Sequence, residues 1–384
     1  MIDIQDKSEC CGCGACAQKC PKKCITMQTD EEGFAYPLVD ESLCINCGLC
    51  EKVCPVINQN EARRPLHTFA AFVEDEDIRL NSSSGGLFSH IALQVIEQGG
   101  VVFGARFNER WEVVHDYTET AEGIQMFMGS KYVQSVIGNA FLKVQEFLRQ
   151  GRMVLFTGTP CQISGLHHFL QKKYENLLTV DIVCHGVPSP LVWREYLNSL
   201  KLDRISFINF RSKATGWKNY SLEIRGYDRF SAPFKLSEPF SSNAFSVGFM
   251  HNLYLRPSCF SCPSRKGKSG SLITLGDLWG IDQYEGIVDD DKGCSLILQY
   301  RDNFDLINEL YKKTIDYERV IVSNPCIVRD TVLPKQRKQF YKYFHREGLI
   351  KAIKKYTKPS RYSTYVFKCK HIVYLALKAT GLKR

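Results

Sequence analysis

The chain has 384 residues, 44% of them hydrophobic, with 17 cysteines and a formal net charge of +9. That length allows about two or three domains and a sizeable core, and no apolar run reaches the ~18 residues of a spanning helix. The basicity is local: fifteen Lys and Arg and a single acidic residue, Glu347, fall from Lys335 onward, so the rest of the chain is net acidic.

The first sixty residues carry one cysteine phrase twice. Cys10, Cys13, Cys16 and Cys20 are followed by Pro21, and Cys44, Cys47, Cys50 and Cys54 by Pro55. Both read C-x2-C-x2-C-x3-C-P, the run that binds [4Fe–4S] clusters in bacterial-type ferredoxins, where the fourth cysteine serves the other cluster. One cluster is thus expected on Cys10, Cys13, Cys16 and Cys54, and the other on Cys44, Cys47, Cys50 and Cys20. Zinc ribbons space their cysteine pairs differently. A disulfide framework needs an oxidising compartment, and the N-terminus shows no apolar signal segment. The expected location is cytoplasmic. Cys11 and Cys24 fall outside the phrase and read as spare buried thiols. Between the runs, Asp30 to Pro37 reads as a hairpin or turn with aromatic cover, and Glu61 to Pro65 as a linker.

A strand at Thr68–Val73 leads into Asn81-Ser82-Ser83-Ser84-Gly85-Gly86. Phe88, Ile91, Ala92, Val95 and Ile96 then recur at helical spacing. The small-residue loop is equally an anion site or a plain helix cap. Strand-like segments at 101–105 and 112–115 precede Gly129-Ser130-Lys131-Tyr132. A helix follows, with Phe141, Val144, Phe147 and Leu148 on one side.

Two strand–loop–helix units come next: Met153–Phe156 with Thr157-Gly158-Thr159-Pro160-Cys161, and Val180–Val183 with Cys184-His185-Gly186-Val187-Pro188. Open α/β sheets place ligands at such strand ends. Two strands over 205–224 carry Arg211, Lys213 and Lys218. Cys259 and Cys262 form a C-x2-C that reads as zinc, cluster or redox pair. Together with Cys161 and Cys184 they supply enough thiolates for a third [4Fe–4S] cluster. Ile273–Gly280 reads as a strand ending in a Gly-Asp turn beside Trp279. His185 is a weak candidate proton donor, with a packed loop histidine as the blander reading. From Lys335 the basic and aromatic residues alternate, and 366–379 has the pattern of a short amphipathic helix. Peripheral contact with an anionic membrane face is one reading of that tail. Nucleic acid ranks lower, because no groove-reading motif accompanies it.

In this order the dicluster phrase, Ser82–Gly86, Gly129–Tyr132, Gly158-Thr159-Pro160-Cys161-Gln162, Cys184–Ser189, Cys259-x2-Cys262 and Gly276-Asp277 resemble the coenzyme F-420 hydrogenase/dehydrogenase beta-subunit family, over about residues 1–330. The resemblance implies a ferredoxin-like dicluster domain (1–60) and an α/β flavin-binding domain (66–330); the basic helical tail (335–384) lies outside it, and the expected architecture overall is α+β and α/β. It implies FAD held by Ser83, Ser84, Gly85, Gly86, Lys131, Thr157, Gly158 and Thr159, with the third cluster on Cys161, Cys184, Cys259 and Cys262. It implies an oxidoreductase that passes electrons between clusters and FAD, using an electron donor or acceptor protein or coenzyme. Chains of this shape are also similar to ones encoded among surface-polysaccharide genes in bacteria that lack F-420, which leaves the substrate open. The alternative is an electron-transfer subunit without a substrate of its own.

Overall fold

The computed structural model describes residues 1–302, 304–307 and 310–358. Its front module repeats one local geometry. Gly14 and Gly48 take φ of 69° and 70° just before two short helices, α1 (Ala15–Lys19) and α2 (Leu49–Lys52). A residue without Cβ enters that left-handed region at little cost, so the repeated spacing of glycine and cysteine yields the same loop twice. Strands β1 (Ile25–Thr29) and β2 (Ala35–Val39) pair antiparallel between the runs. Their turn is held by Asp30 Oδ1, which accepts from the Glu32 and Phe34 amides at 3.0 and 2.9 Å. The linker segment is tied down rather than loose. Arg63 donates to the carbonyls of Lys266, Gly267 and Ser271 at 2.9, 3.1 and 2.9 Å.

The body follows as β3 (His67–Phe72), α3 (Glu76–Asn81), α4 (Leu87–Glu97), β4 (Val101–Phe107), β5 (Val113–Thr118), α5 (Ala140–Arg149), β6 (Val154–Gly158), α6 (Pro160–Leu170), β7 (Leu177–Ile182), α7 (Pro190–Ser199), β8 (Arg204–Ser212), β9 (Ser221–Tyr227), β10 (Pro233–Pro239), α8 (Ala244–Met250), β11 (Ile273–Asp277), β12 (Ser295–Gln299), β13 (Tyr311–Thr314), α9 (Tyr317–Ser323), α10 (Arg337–Glu347) and α11 (Leu349–Tyr356). Eight strands form the main sheet in the order β13-β3-β12-β11-β7-β6-β4-β5. The β4–β6, β6–β7 and β7–β11 pairings are parallel. β3 runs with this group, while β5, β12 and β13 run against it.

The central strands are apolar at successive positions because both faces of the sheet are covered. Val102 and Leu155 pack with Leu87, Ile91 and Val95 of α4 on one face. Val101, Phe103, Val154 and Phe156 pack with Phe141 and Val144 of α5 and Ile163 and Leu166 of α6 on the other. Ala15 and Val53 of the front module join this second face. Polar contacts seal the joint: Lys19 Nζ donates to the Phe169 carbonyl at 2.8 Å, and the Leu142 amide to Gln18 Oε1 at 3.2 Å. Gly165 of α6 permits the close approach, since a Cβ there would stand 2.8 Å from Cys13 Cβ.

A second sheet, β10-β9-β8, lies beside the first. Arg211 is on β8 as the alternation suggests, but Lys213 and Lys218 fall in the connection to β9 rather than on a strand. The expected tail also needs correction. As far as residue 356 it is part of the core: Phe340, Tyr341, Phe344, Leu349, Ala352 and Ile353 pack in one cluster with Trp193, Tyr196, Phe245 and Tyr254. Arg337 forks onto Glu32 of the front module, one arm at 2.8 Å, and donates to the Leu255 carbonyl at 2.8 Å. Lysines decorate the outer faces of these helices and dominate the composition, which is why the segment reads as a solvated arm. Because Phe340 is fully buried, Phe340→Ala is expected to cost about 3–5 kcal/mol in a urea titration, whereas a free tail would lose nothing. The helix expected over 366–379 lies outside the described residues. Among the described residues no helix is long and apolar enough to cross a membrane.

Candidate electron-transfer site

Two cavities open in the front module, and each gathers thiols from both cysteine runs. One, of about 320 Å³ including its mouth, is lined by Cys10, Cys11, Cys13, Cys16 and Cys54, with Ile2, Ile4, Met27 and Val56 as apolar cover. The other, of about 360 Å³, is lined by Cys20, Cys24, Cys44, Cys47 and Cys50, with Met1, Ile25, Val39 and Ile45. Cys54 thus stands with the first run and Cys20 with the second. The cysteines of the described residues are all free thiols. No three His, Cys, Asp or Glu among those residues converge as ligands of a single ion would; thiols spread around a cavity suit the corners of a cubane. The donor set therefore fits two clusters. The two spare cysteines are buried, as expected, but neither stands apart. Cys24 Sγ lies 3.3 Å from Cys20 Sγ. The Cys11 thiol is pushed up by the adjacent Cys13 thiol and by burial, and it also meets Cys161.

That contact leads into the body. Cys161 is in the first turn of α6, whose start is set by a capping box between Thr159 and Gln162 and by Pro160 in the first turn. Cys184 follows the carboxyl end of β7. Cys259 lies in a 3-10 turn, with Cys262 just after it. Burial pushes the Cys259 thiol up to about 12, and the Cys262 and Cys161 thiols add to the shift. Burial likewise raises Cys184, with Cys259, Cys161 and Cys262 among its charged neighbours. The four thiols named from sequence are thus brought together, although three loops and about a hundred residues separate them in the chain. The Val187 amide donates to Cys259 Sγ at 3.4 Å.

The residues expected to hold a flavin fall into two hydrogen-bonded sets at the carboxyl ends of β3 and β6. In the first, Ser83 Oγ accepts from the Ser130 amide at 2.7 Å, and Ser84 Oγ donates to the Cys294 carbonyl at 2.9 Å. The Gly85 amide donates to Ser295 Oγ at 2.9 Å. Lys131 Nζ donates to the Met126 and Met128 carbonyls at 3.1 and 2.8 Å, and burial lowers its pKa to about 7. Arg211 binds the Ser83 carbonyl at 3.0 Å and pairs with Asp277 at 2.8 and 3.1 Å; its Nε is buried with no partner. In the second set, Thr157 Oγ1 donates to the Phe103 carbonyl at 2.9 Å. Thr159 and Gln162 form the helix cap already described. A buried orphan donor beside the Ser83 loop, at the strand ends, fits an anionic or polar ligand there.

Several participants carried no sequence signal. His115 bridges Ser135 Oγ at 2.9 Å and the Thr157 carbonyl at 3.0 Å, and Gln162 Nε2 donates to the same Ser135 at 2.8 Å. Nothing local marks His115 and Ser135, because the contacts join three separate segments; Gln162 alone stands in a motif legible from sequence. His185 is tied to Asn252 Oδ1 at 2.6 Å and packs edge-on against Phe249.

Burial lowers His115 and His167 to about 4 and raises Asp181 to about 6. Each histidine is neutral in the fold well below the ordinary 6.5, so its stabilisation is complete above pH 6.5 and lost as pH falls toward 4. Asp181 acts in the opposite sense: its contribution is complete below the ordinary 3.8 and is lost as pH rises through 6. From pH 7 to 5 the histidines together cost about 4 kcal/mol and Asp181 returns about 1. Urea unfolding is expected to show a net loss of about 2–3 kcal/mol over that interval, and His115→Gln should reduce it.

A front module with two thiol-lined cavities, set against an α/β sheet, defines an iron–sulfur electron-transfer protein. The front module, residues 9–58, matches the 4Fe-4S dicluster domain. Residues 151–323 match the family model for the C-terminal part of the coenzyme F420 hydrogenase/dehydrogenase beta subunit. Among solved structures it is similar to a chain of the F420-reducing [NiFe] hydrogenase complex from Methanosarcina barkeri, studied by xenon derivatization, with 14% identity and a TM-score of 0.44 over 74% of this chain and 93% of that one. No curated protein matches the chain.

Proposed function

We propose that the chain is an iron–sulfur flavoprotein oxidoreductase in which three clusters link the protein surface to FAD. The observation that carries this reading is the half-buried set Cys161, Cys184, Cys259 and Cys262, joined to the first front cavity through Cys11 and Cys13. Cys10, Cys13, Cys16 and Cys54 would hold the middle cluster. Cys20, Cys44, Cys47 and Cys50 would hold the outer one, which reaches the surface at the exposed Cys47. A thiol–disulfide centre at Cys259 and Cys262 is disfavoured, because reactive pairs carry a lowered thiol and burial here raises both.

The Ser83–Gly86 loop, Lys131 and the Thr157–Thr159 loop would hold FAD at the carboxyl ends of the strands. FAD, when bound, exchanges two electrons with an organic donor or acceptor and single electrons with a cluster. The protein's part is to position and insulate. Arg211 fixes the Ser83 loop through its carbonyl, and the capping box fixes Cys161 two residues from Thr159. His115 stays neutral at pH 7 and so orders the Thr157 loop without adding charge.

A second reading, an electron-transfer subunit that serves a partner enzyme, rests on Cys47 opening the outer cavity to the surface. Turnover separates the two. The isolated chain is expected to reduce or oxidise F420, NADH or a one-electron carrier with FAD bound. Flavin that is reduced by an artificial donor but never turns over these compounds would favour the partner reading. The location expected from sequence, cytoplasmic with peripheral contact at the inner membrane face, belongs to this proposal too, with salt-sensitive liposome binding as its check.

A further inference from the structure

Arg256 is 1% exposed and lies at the joint between the front module and the body. Its Nε donates to the Cys10 carbonyl at 2.7 Å, and Nη2 to Cys10 Sγ at 3.5 Å and to the Ala35 carbonyl at 2.9 Å. Nη1 donates to Gln134 Oε1 at 3.0 Å, and the guanidinium lies over the Tyr36 ring at 4.3 Å. Its own carbonyl accepts from the Cys259 amide at 2.9 Å, so one residue touches both the middle-cluster run and the C-x2-C turn. Gly12 makes room for it, since a Cβ there would stand 2.6 Å from Nη1.

A guanidinium is charged at any working pH, and burying a charge without a counter-charge is costly. The partners of Arg256 among the described residues are three neutral oxygens and one sulfur, with no carboxylate. The group that can supply the missing negative charge is Cys10 as a cluster-bound thiolate. Hydrogen bonds and charge at the cluster sulfurs are among the determinants of reduction potential. A fixed cation stabilises the more negative, reduced state.

We propose that Arg256 raises the reduction potential of the cluster on Cys10, Cys13, Cys16 and Cys54, making that cluster a better electron acceptor than its thiolates alone would. This rests on the cluster reading above. Arg256 is a positioning and tuning residue, and Cys10 is the ligand through which it acts. The outer cluster, none of whose ligands it contacts, is an internal reference.

The test is an EPR-monitored redox titration of anaerobically purified wild-type, Arg256→Lys and Arg256→Gln chains, each carrying its own clusters. In Arg256→Gln the reduction equilibrium of the Cys10 cluster is expected to shift at least about tenfold toward the oxidised form, about 59 mV for a one-electron couple. Arg256→Lys keeps the charge and should shift less, and the outer cluster should not move in either variant. An unchanged Cys10 cluster, an equal shift of both clusters, or loss of its iron in both variants would overturn the proposal and leave Arg256 a structural clamp. Absence of both front clusters from the wild-type chain would instead mean that the cluster reading itself has failed.

Discussion

Replacement of Cys259 by alanine is expected to remove about four irons of about twelve, on a count of four per cubane, and to leave the EPR signals of the two front clusters intact. The reason is separation of the ligand sets. Cys259 lines neither front cavity. Its charged neighbours include Cys262 and Cys161, and it lies among Cys184's neighbours in turn. With one of four ligands gone, the remaining thiols cannot close around a cubane. They revert to protonated groups, since the contact with Cys11 and burial raise the Cys161 thiol and burial raises those of Cys184 and Cys262. The same change in Cys54 should act elsewhere, removing the cluster of the first run although Cys54 belongs to the second. Unchanged iron in Cys259→Ala would remove the third cluster from the account.

The second large effect is at Arg211. Its side chain is 3% exposed and that of Asp277 16% exposed, and the two form a forked pair at the carboxyl ends of β8 and β11. The guanidinium also sits 3.8 Å over the Tyr220 ring. In Arg211→Met the Asp277 carboxylate stays buried without its partner, for which about 3–5 kcal/mol is lost. Trp217 Nε1, 3.3 Å from Asp277 Oδ1, still donates to that carboxylate but does not neutralise it. The double change Arg211→Met with Asp277→Leu removes both charges and should recover most of the loss. Urea titration of the wild type, the single variant and the double variant tests this. A single variant within about 1 kcal/mol of wild type would show that the pair is screened in solution as surface pairs are. Because Arg211 also holds the Ser83 carbonyl, the single variant should weaken flavin retention as well.

What could be read from sequence was local. The cysteine runs carry their own geometry, since Gly14 and Gly48 impose the same turn wherever the phrase occurs. The hairpin between the runs and the strand–loop–helix units at Thr157 and Cys184 were legible for the same reason, from turn residues and apolar spacing a few positions apart. The short helix α3 and the strand β10 went unread; neither has a strong apolar period. The polar joints were out of reach. Arg256 and Cys10 are 246 positions apart, and Arg337 and Glu32 are 305 apart. A period-based reading carries no information at that range. The C-terminal segment was misread for a different reason: net charge was weighed ahead of periodicity. Phe340, Tyr341 and Phe344, then Leu349, Ala352 and Ile353, recur at helical spacing and mark a buried stripe, while the lysines between them are the solvated face.

The measurement that tests the central claim most directly is cofactor content after anaerobic purification: iron, acid-labile sulfide and released flavin per chain. The account predicts about twelve irons, by four per cubane, with matching sulfide and one FAD. About eight irons and no flavin would contradict it, reducing the chain to a dicluster carrier on an α/β scaffold and leaving the thiols around Cys259 without a metal.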